Sequence, residues 1–348
     1  MNLLKLNAKN SFLHLFIIFL SFSLFVLIHR DLLFQRFDPV IVKNYLRSQD
    51  IFDPQGYIKD RIFISDSDIY IASGYLYAIG FDPRSFNYPH PPLIKYLFGF
   101  SAKYFNLPLL PNILFAIILL LEIYLLGQQI FKNKLVGLFA SLLLLIDPVF
   151  KEVTVYALLD LGQTVFLLGF LISTLFYSKR ILFTGVFLGL ALASKFYSPV
   201  ILFMTFIYLY QVLIKKLDFK KELFVLLVAF LTFCLTYIVS FIKEGGIFNI
   251  FLLQAKNIKY MLNHHQSSQW GSVFLMFFGG YIVWPVALFA TLYNLLKTKI
   301  KSVDFLIYIL SLIYFASLIF QFPFTRYFIL LLPFMYLGLA RFINKIIN

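Results

Sequence analysis

Asp66-Ser67-Asp68 sets two carboxylates two residues apart at the start of a helix-forming stretch. Such a pair can supply a general base and its orienting partner, or hold a divalent cation as a D-x-D pair. It can also simply cap a helix N-terminus, a position that Asp and Ser favour. About twenty residues on, Tyr88-Pro89-His90-Pro91-Pro92-Leu93-Ile94-Lys95 places a histidine among three prolines. Proline fixes φ and removes a donor, so His90 is held at one place on a stiff, extended backbone. Lys95 falls about one turn into a helix that Pro92 can start, where it can face an anion. The same stretch also reads as a rigid return to a membrane with a surface histidine. Further on, Asp160, Lys195, His264 and Arg326 are polar residues in or beside apolar runs. An ionised carboxylate at mid-bilayer costs roughly 2.5–3.5 kcal/mol on insertion scales, so Asp160 is expected to face protein or water. Lys195 and Arg326 either meet a bound anion or snorkel to the interface. The histidines lack the H-E-x-x-H spacing of a zinc site.

These residues sit in a chain built for lipid. Of 348 residues, 61% are hydrophobic and 13% charged, against roughly 45–50% apolar in a soluble domain. The excess must face a membrane. The 45 Phe suit lipid contact and the 22 Tyr suit the headgroup belt. A single cysteine, Cys234, precludes an intramolecular disulfide. The formal charge of +14 follows from loop lysines that anchor a membrane protein, and no nucleic-acid partner is expected.

Ten apolar runs are expected to span: Ser11–Ile28, Leu107–Phe131, Leu135–Phe150, Tyr156–Tyr177, Ile181–Ala193, Tyr197–Ile214, Leu223–Ile242, Val273–Leu296, Phe305–Phe320 and Tyr327–Phe342. Several are short for a crossing. The first, behind Lys5 and Lys9, is similar to a signal peptide, but His29-Arg30-Asp31 follows it in place of a small-residue cleavage site, so it reads as a retained span. With the N-terminus cytoplasmic, the inner short loops hold Lys132, Lys134, Lys179, Arg180, Lys215, Lys216, Lys220, Lys221, Lys297, Lys299 and Lys301. The outer short loops hold Lys151, Lys195, Lys243, Lys256, Lys259 and Arg326. That bias places both termini inside.

The fold class expected is therefore an all-α polytopic membrane protein of about ten transmembrane helices, a single membrane domain over residues 1–348. It divides into a first span (1–28), a large first external loop (29–106), a bundle (107–242), a second external loop (243–272) and C-terminal spans (273–348). Within the first loop the pattern predicts an amphipathic helix over Pro39–Ser48, with Val40, Ile41 and Tyr45 on one stripe. It predicts another over Asp68–Ile79, stopped by Gly80, and a third from Leu93 to Phe105 behind Pro92. Gly185-x-x-x-Gly189 is a helix-packing pattern.

Asp66, an aromatic-rich helix, Gly80 and then His90-Pro91-Pro92-Leu93-x-Lys95 resemble the first external loop of the protein O-mannosyltransferase family. These are C-type (GT-C) glycosyltransferases that use polyprenyl-phosphate sugars. Leu158-Leu159-Asp160, Gly185-x-x-x-Gly189-x-Ala191-x-x-Ser194-Lys195 and His264-x-x-Ser267-Ser268-x-Trp270 are similar to later family segments in the same order. The chain departs from the pattern at Ser67, where the family's second acid stands, and at Ile94, where it has Gly. Trp284-Pro285 lies apart from Trp270, and no large soluble insert is present.

The resemblance implies inverting transfer of a hexose, mannose in that family, from a polyprenyl- or dolichyl-phosphate donor to a hydroxyl on a protein, lipid or glycan. It gives Asp66 the part of general base, with Asp68 as the alternative. Lys195, Arg326 and Lys95 are candidates to meet the leaving phosphate, His264 to donate to it, and His90 and Asp160 to line the substrate site. The sequence points to no particular cofactor, and a divalent cation is compatible with the carboxylates. Two other classes stay open: a lipid or solute transporter, and a non-catalytic assembly subunit of the same fold.

Overall fold

The structure is a computed structural model that describes residues 2–51, 59–177, 180–244, 249, 252–253, 255–256, 259 and 271–347. Helices account for every named element among them, and the only β pairing is an isolated bridge between Ser48 and Ile62. In a bilayer each backbone N–H must find its acceptor within its own segment, and a helix meets that demand. Each of the ten apolar runs is helical. Among the described residues, four helices are long and apolar enough to cross a membrane: Ser11–Ile28, Leu110–Phe131, Leu159–Phe176 and Val303–Phe320. The chain is an integral membrane protein.

The runs break where local chemistry demands it. Leu135–Phe150 divides at Asp147-Pro148 into α7 (Lys134–Leu145) and a short α8 (Pro148–Val155), with Asp147 capping Val149 N–H at 2.7 Å. Proline at the first helical position favours that new start. The run Val273–Leu296 bends by 102° between Ser272–Gly279 and Val283–Leu296. There Gly280 lies so close to the Trp284 ring that a Cβ would sit 2.7 Å from it. The last run opens as a 3-10 turn, Thr325–Leu330, before a helix at Leu332–Ile347.

The first loop folds onto one end of the bundle. Its amphipathic helix α3 covers Val40–Tyr45, shorter than predicted; Ile41, Val42 and Tyr45 turn inward while Val40 is exposed. Helix α4 begins at Asp66, two residues before the predicted start, and ends at Ala78. Gly80 takes a φ of +99°, and the N–H groups of Phe81 and Gly80 reach back to Leu76 and Tyr77 carbonyls, each at 2.9 Å. A left-handed residue there is what glycine permits. Helix α5 spans Leu93–Phe105, as the prolines predict.

Helices α4 and α5 cross at glycines. A Cβ on Gly74 would fall 1.9 Å from the Lys95 carbonyl oxygen, and one on Gly99 would fall 1.9 Å from the Gly74 carbonyl oxygen. The backbones therefore touch directly. In the same way Gly185 and Gly189 let α10 (Ile181–Leu192) lie against α12 (Phe219–Leu235) at Val228 and Ala229, as the small-residue pattern predicts.

Candidate active site

Four charged residues meet where α4 touches the bundle. Asp66, the first residue of α4, pairs through Oδ2 with Arg326 Nη2 at 2.6 Å. Arg326, in the 3-10 turn, also lies 4.0 Å from Asp160 Oδ2 through Nε. Asp160, in the first turn of α9 (Leu159–Phe176), accepts from Lys195 Nζ at 2.6 Å. The chain of charges thus runs Asp66, Arg326, Asp160, Lys195. It alternates in sign, which offsets the cost of burying it.

Exposure grades along that chain. The Asp66 side chain is 44% exposed and that of Arg326 12%, while Asp160 and Lys195 retain only 4% and 2%. Lys195 stands over the rings of Tyr327 and Phe196, at 4.8 and 5.1 Å from their centroids. Asp160 and Lys195 open on a cavity of about 230 Å³, with Gln163, Tyr314, Gln321 and Tyr327 among its lining. One end of the cluster thus meets a cavity and the other meets solvent.

Backbone ties hold these residues in register. Gln163 donates to the Phe196 carbonyl at 2.7 Å, which fixes the segment carrying Lys195. Leu93 N–H donates to the Ala193 carbonyl at 3.2 Å, joining α5 to that segment. Ser67 accepts from Ala157 N–H at 2.9 Å, joining α4 to the start of α9. A serine at position 67 is therefore a bracket, where the O-mannosyltransferase pattern has an acid. Thr325 donates to Glu152 Oε2 at 2.6 Å, propping the turn that bears Arg326 from below.

Asp66 and Asp68, read together as a D-x-D pair, engage different partners. Asp68 accepts from the Ser65 hydroxyl at 2.8 Å, while its own N–H donates to Ser65 Oγ at 3.1 Å. Ser65 is the N-cap, so Asp68 serves the helix terminus and Asp66 faces Arg326. Among the described residues, no group of three His, Cys, Asp or Glu is placed to hold a metal ion.

His90 lies within the cluster's surroundings, edge-on to Phe196 at 4.8 Å and to Tyr70 at 5.7 Å. Its Nδ1 has no hydrogen-bond partner among the described residues. Burial, and then the cations Lys195, Lys95 and Arg326, hold its pKa well below 6.5, so the ring is neutral. The unfolded chain takes up a proton at this residue below about pH 6.5, whereas the folded chain resists it. Stability is therefore lost as pH falls through that value. His90→Asn is expected to flatten this loss by up to about 1.4 kcal/mol per pH unit. Thermal unfolding of both proteins between pH 7.5 and 5 measures the difference.

Lys95 is placed elsewhere than its candidacy for phosphate contact supposes. Its ammonium points into the loop and donates to the Asn87 carbonyl at 2.6 Å, the His90 carbonyl at 2.8 Å and the Asn87 side chain at 3.1 Å. It is fully buried, and burial brings its pKa down to about 7. Lys95 thus pins the proline turn that carries His90. Lys95→Met is expected to cost about 3 kcal/mol by leaving three acceptors buried and unmet. Thermal unfolding checks it, and a donor-binding assay on the surviving fold should show affinity retained.

His264, with its Ser267-Ser268-x-Trp270 neighbours, lies outside the described residues. Sequence reasoning did not single out Tyr70, Gln163, Glu152, Tyr314 or Tyr327. Burial, then the neighbouring Asp66 carboxylate, raises the Tyr70 phenol well above 10, so it stays a protonated donor.

With this geometry in view, the fold has a solved counterpart. The chain superposes on ArnT from Cupriavidus metallidurans, whose crystal structure is bound to undecaprenyl phosphate, with a TM-score of 0.61 and 16% identity over 91% of this chain. The two proteins share a fold. The chain spans 59% of the length of that protein. No protein-family model matches the sequence, and no curated protein matches it. The likeness is one of fold, and the resemblance to the O-mannosyltransferase family is carried by the sequence motifs.

Proposed function

We propose that this chain is a membrane glycosyltransferase that moves a sugar from a polyprenyl-phosphate donor to an acceptor hydroxyl, inverting the anomeric centre, on the external side. The observation that carries this reading is the Asp66–Arg326–Asp160–Lys195 chain, a half-exposed carboxylate joined through two cations to a cavity. The donor phosphate sits against Lys195, within reach of Arg326, and the sugar lies toward Asp66. The acceptor oxygen attacks the anomeric carbon as its proton passes to Asp66. The bond from that carbon to the phosphate oxygen breaks, and its electron pair leaves on the phosphate, stabilised by the two cations. An alcohol is a poor nucleophile at neutral pH, so the base lowers the main barrier.

The GT-C fold supports a lipid-phosphate donor, since ArnT was solved with undecaprenyl phosphate bound. The motifs favour a hexose, mannose first, with a protein, lipid or glycan as acceptor, and the bias of loop charges favours both termini cytoplasmic. Transport fits less well, because transporters place ionisable groups near the bilayer midplane, and here they gather at one end of the bundle. The test is turnover of a radiolabelled polyprenyl-phosphate hexose by purified protein with mixed membrane acceptors, beside Asp66→Asn and Asp68→Asn. Transfer lost with the first and kept with the second supports the assignment; the reverse moves the base to Asp68. Folded protein that neither binds nor turns over any of several donors overturns the transferase reading.

A further inference from the structure

On the far side of α8 from the charged cluster lies a second and larger cavity, of about 860 Å³. Its walls are the last two turns of α1 (Asn2–Ile28), from Ser21 to Ile28, and the C-terminal half of α7 with the residue that caps it, Leu142 and Ile146 among them. Leu24 and Ile28 on one wall and Ile146 on the other are 58–67% exposed, on helices that belong to a membrane. The groove is about 12 Å long by helix rise, and its volume is in the range of ligand pockets.

Its polar end is one-sided. Lys151, His29 and Tyr281 stand there together with Asp147. The Asp147 carboxylate is already engaged: it accepts from Trp284 Nε1 at 2.8 Å, from Val149 N–H and from the Tyr336 hydroxyl, and Asp147 is 1% exposed. Lys151 is exposed and forms no ion pair among the described residues. The nearest acid along α8, Glu152, is taken by Thr325. The exposed charge at this mouth is therefore positive, and the wall beneath it is hydrocarbon.

We infer that this groove binds one acidic phospholipid, an acyl chain lying between α1 and α7 and the headgroup phosphate on Lys151 and His29. A chain without the phosphate leaves Lys151 unpaired, and a phosphate without the chain leaves the apolar wall open. The site is separate from the pocket at Asp160 and Lys195, and it does not depend on the transfer reaction.

The test uses the full chain in detergent with phosphatidylglycerol and phosphatidylcholine of equal chain length, read by native mass spectrometry. The native protein is expected to retain one phosphatidylglycerol, preferred about fivefold over phosphatidylcholine, the order expected for one cation near an anionic headgroup. Lys151→Gln with His29→Gln should erase the preference, and Leu142→Trp should lower occupancy by both lipids. Should either variant fail to fold, a phosphatidylglycerol with a photoreactive acyl chain is applied to the native protein. Labelling confined to residues 21–28 and 142–146 upholds the site. Equal retention of the two lipids, label spread around the bundle, or displacement of phosphatidylglycerol by inorganic phosphate overturns it.

Discussion

Asp66→Asn is expected to lower sugar transfer by about 10²–10⁴-fold, the usual contribution of a positioned general base. The substitution keeps size and shape and removes only the basic oxygen. It also weakens the pairing with Arg326 at 2.6 Å, but that side chain is 44% exposed. Solvent screening holds the stability cost to about 1 kcal/mol or less. Helix α4 keeps its cap, since Ser65 and Asp68 supply it. Rate and fold should therefore separate: transfer collapses, the unfolding temperature barely moves and donor binding persists. Single-turnover assays with saturating donor, beside thermal unfolding, measure both. A loss below tenfold would remove Asp66 from the role of base.

Lys195→Met carries the second large expectation. Removing one member of a pair whose side chains are only 2% and 4% exposed leaves the buried Asp160 without its closest partner. Breaking a buried pair from one side costs about 3–5 kcal/mol. Arg326 Nε, at 4.0 Å, is the remaining cation beside that carboxylate, and turning toward it draws Arg326 from Asp66. Transfer should fall below detection, which alone would not distinguish a lost fold from a lost phosphate contact. The double variant Lys195→Met with Asp160→Leu resolves this. It removes both charges, so most of the stability should return, while donor binding stays absent. A stable double variant that still binds polyprenyl phosphate would make the pair a purely structural element.

Much of the loop was legible because its determinants are local. Pro92 starts α5 and Gly80 ends α4, each by a conformational limit carried in a single residue. Gly185 and Gly189 announced a close packing that duly occurs against Val228 and Ala229. The candidates were also visible, Asp66 as half of a D-x-D pair in a polar loop, and Asp160, Lys195 and Arg326 as polar residues in or beside apolar runs. Their connection was not. Glu152 and Thr325 lie 173 positions apart, and nothing in their spacing predicts that one supports the other. Lys95 misled for a related reason: its spacing allows it to face outward, and only the folded loop shows three carbonyl acceptors turned toward it. The breaks at Asp147-Pro148 and Gly279-Gly280 were hidden inside continuous hydrophobicity, which records the solvent and not the path of the backbone.

The glycine crossing of α4 and α5 makes the pair a lever with a fixed fulcrum. No side chain separates the two backbones at Gly74 and Gly99, so they cannot slide past one another and are left with rotation about that point. Asp66 sits eight residues from Gly74 along α4, an arm of about 12 Å. A turn of roughly 5° at the fulcrum then carries the carboxylate about 1 Å, a displacement that can cost a positioned group about 10²-fold in rate. Bulk added at the fulcrum, as in Gly99→Ala, would tilt the arm without touching any charged residue. The reach of the candidate base is thus set by two hydrogen atoms twelve ångströms away from it.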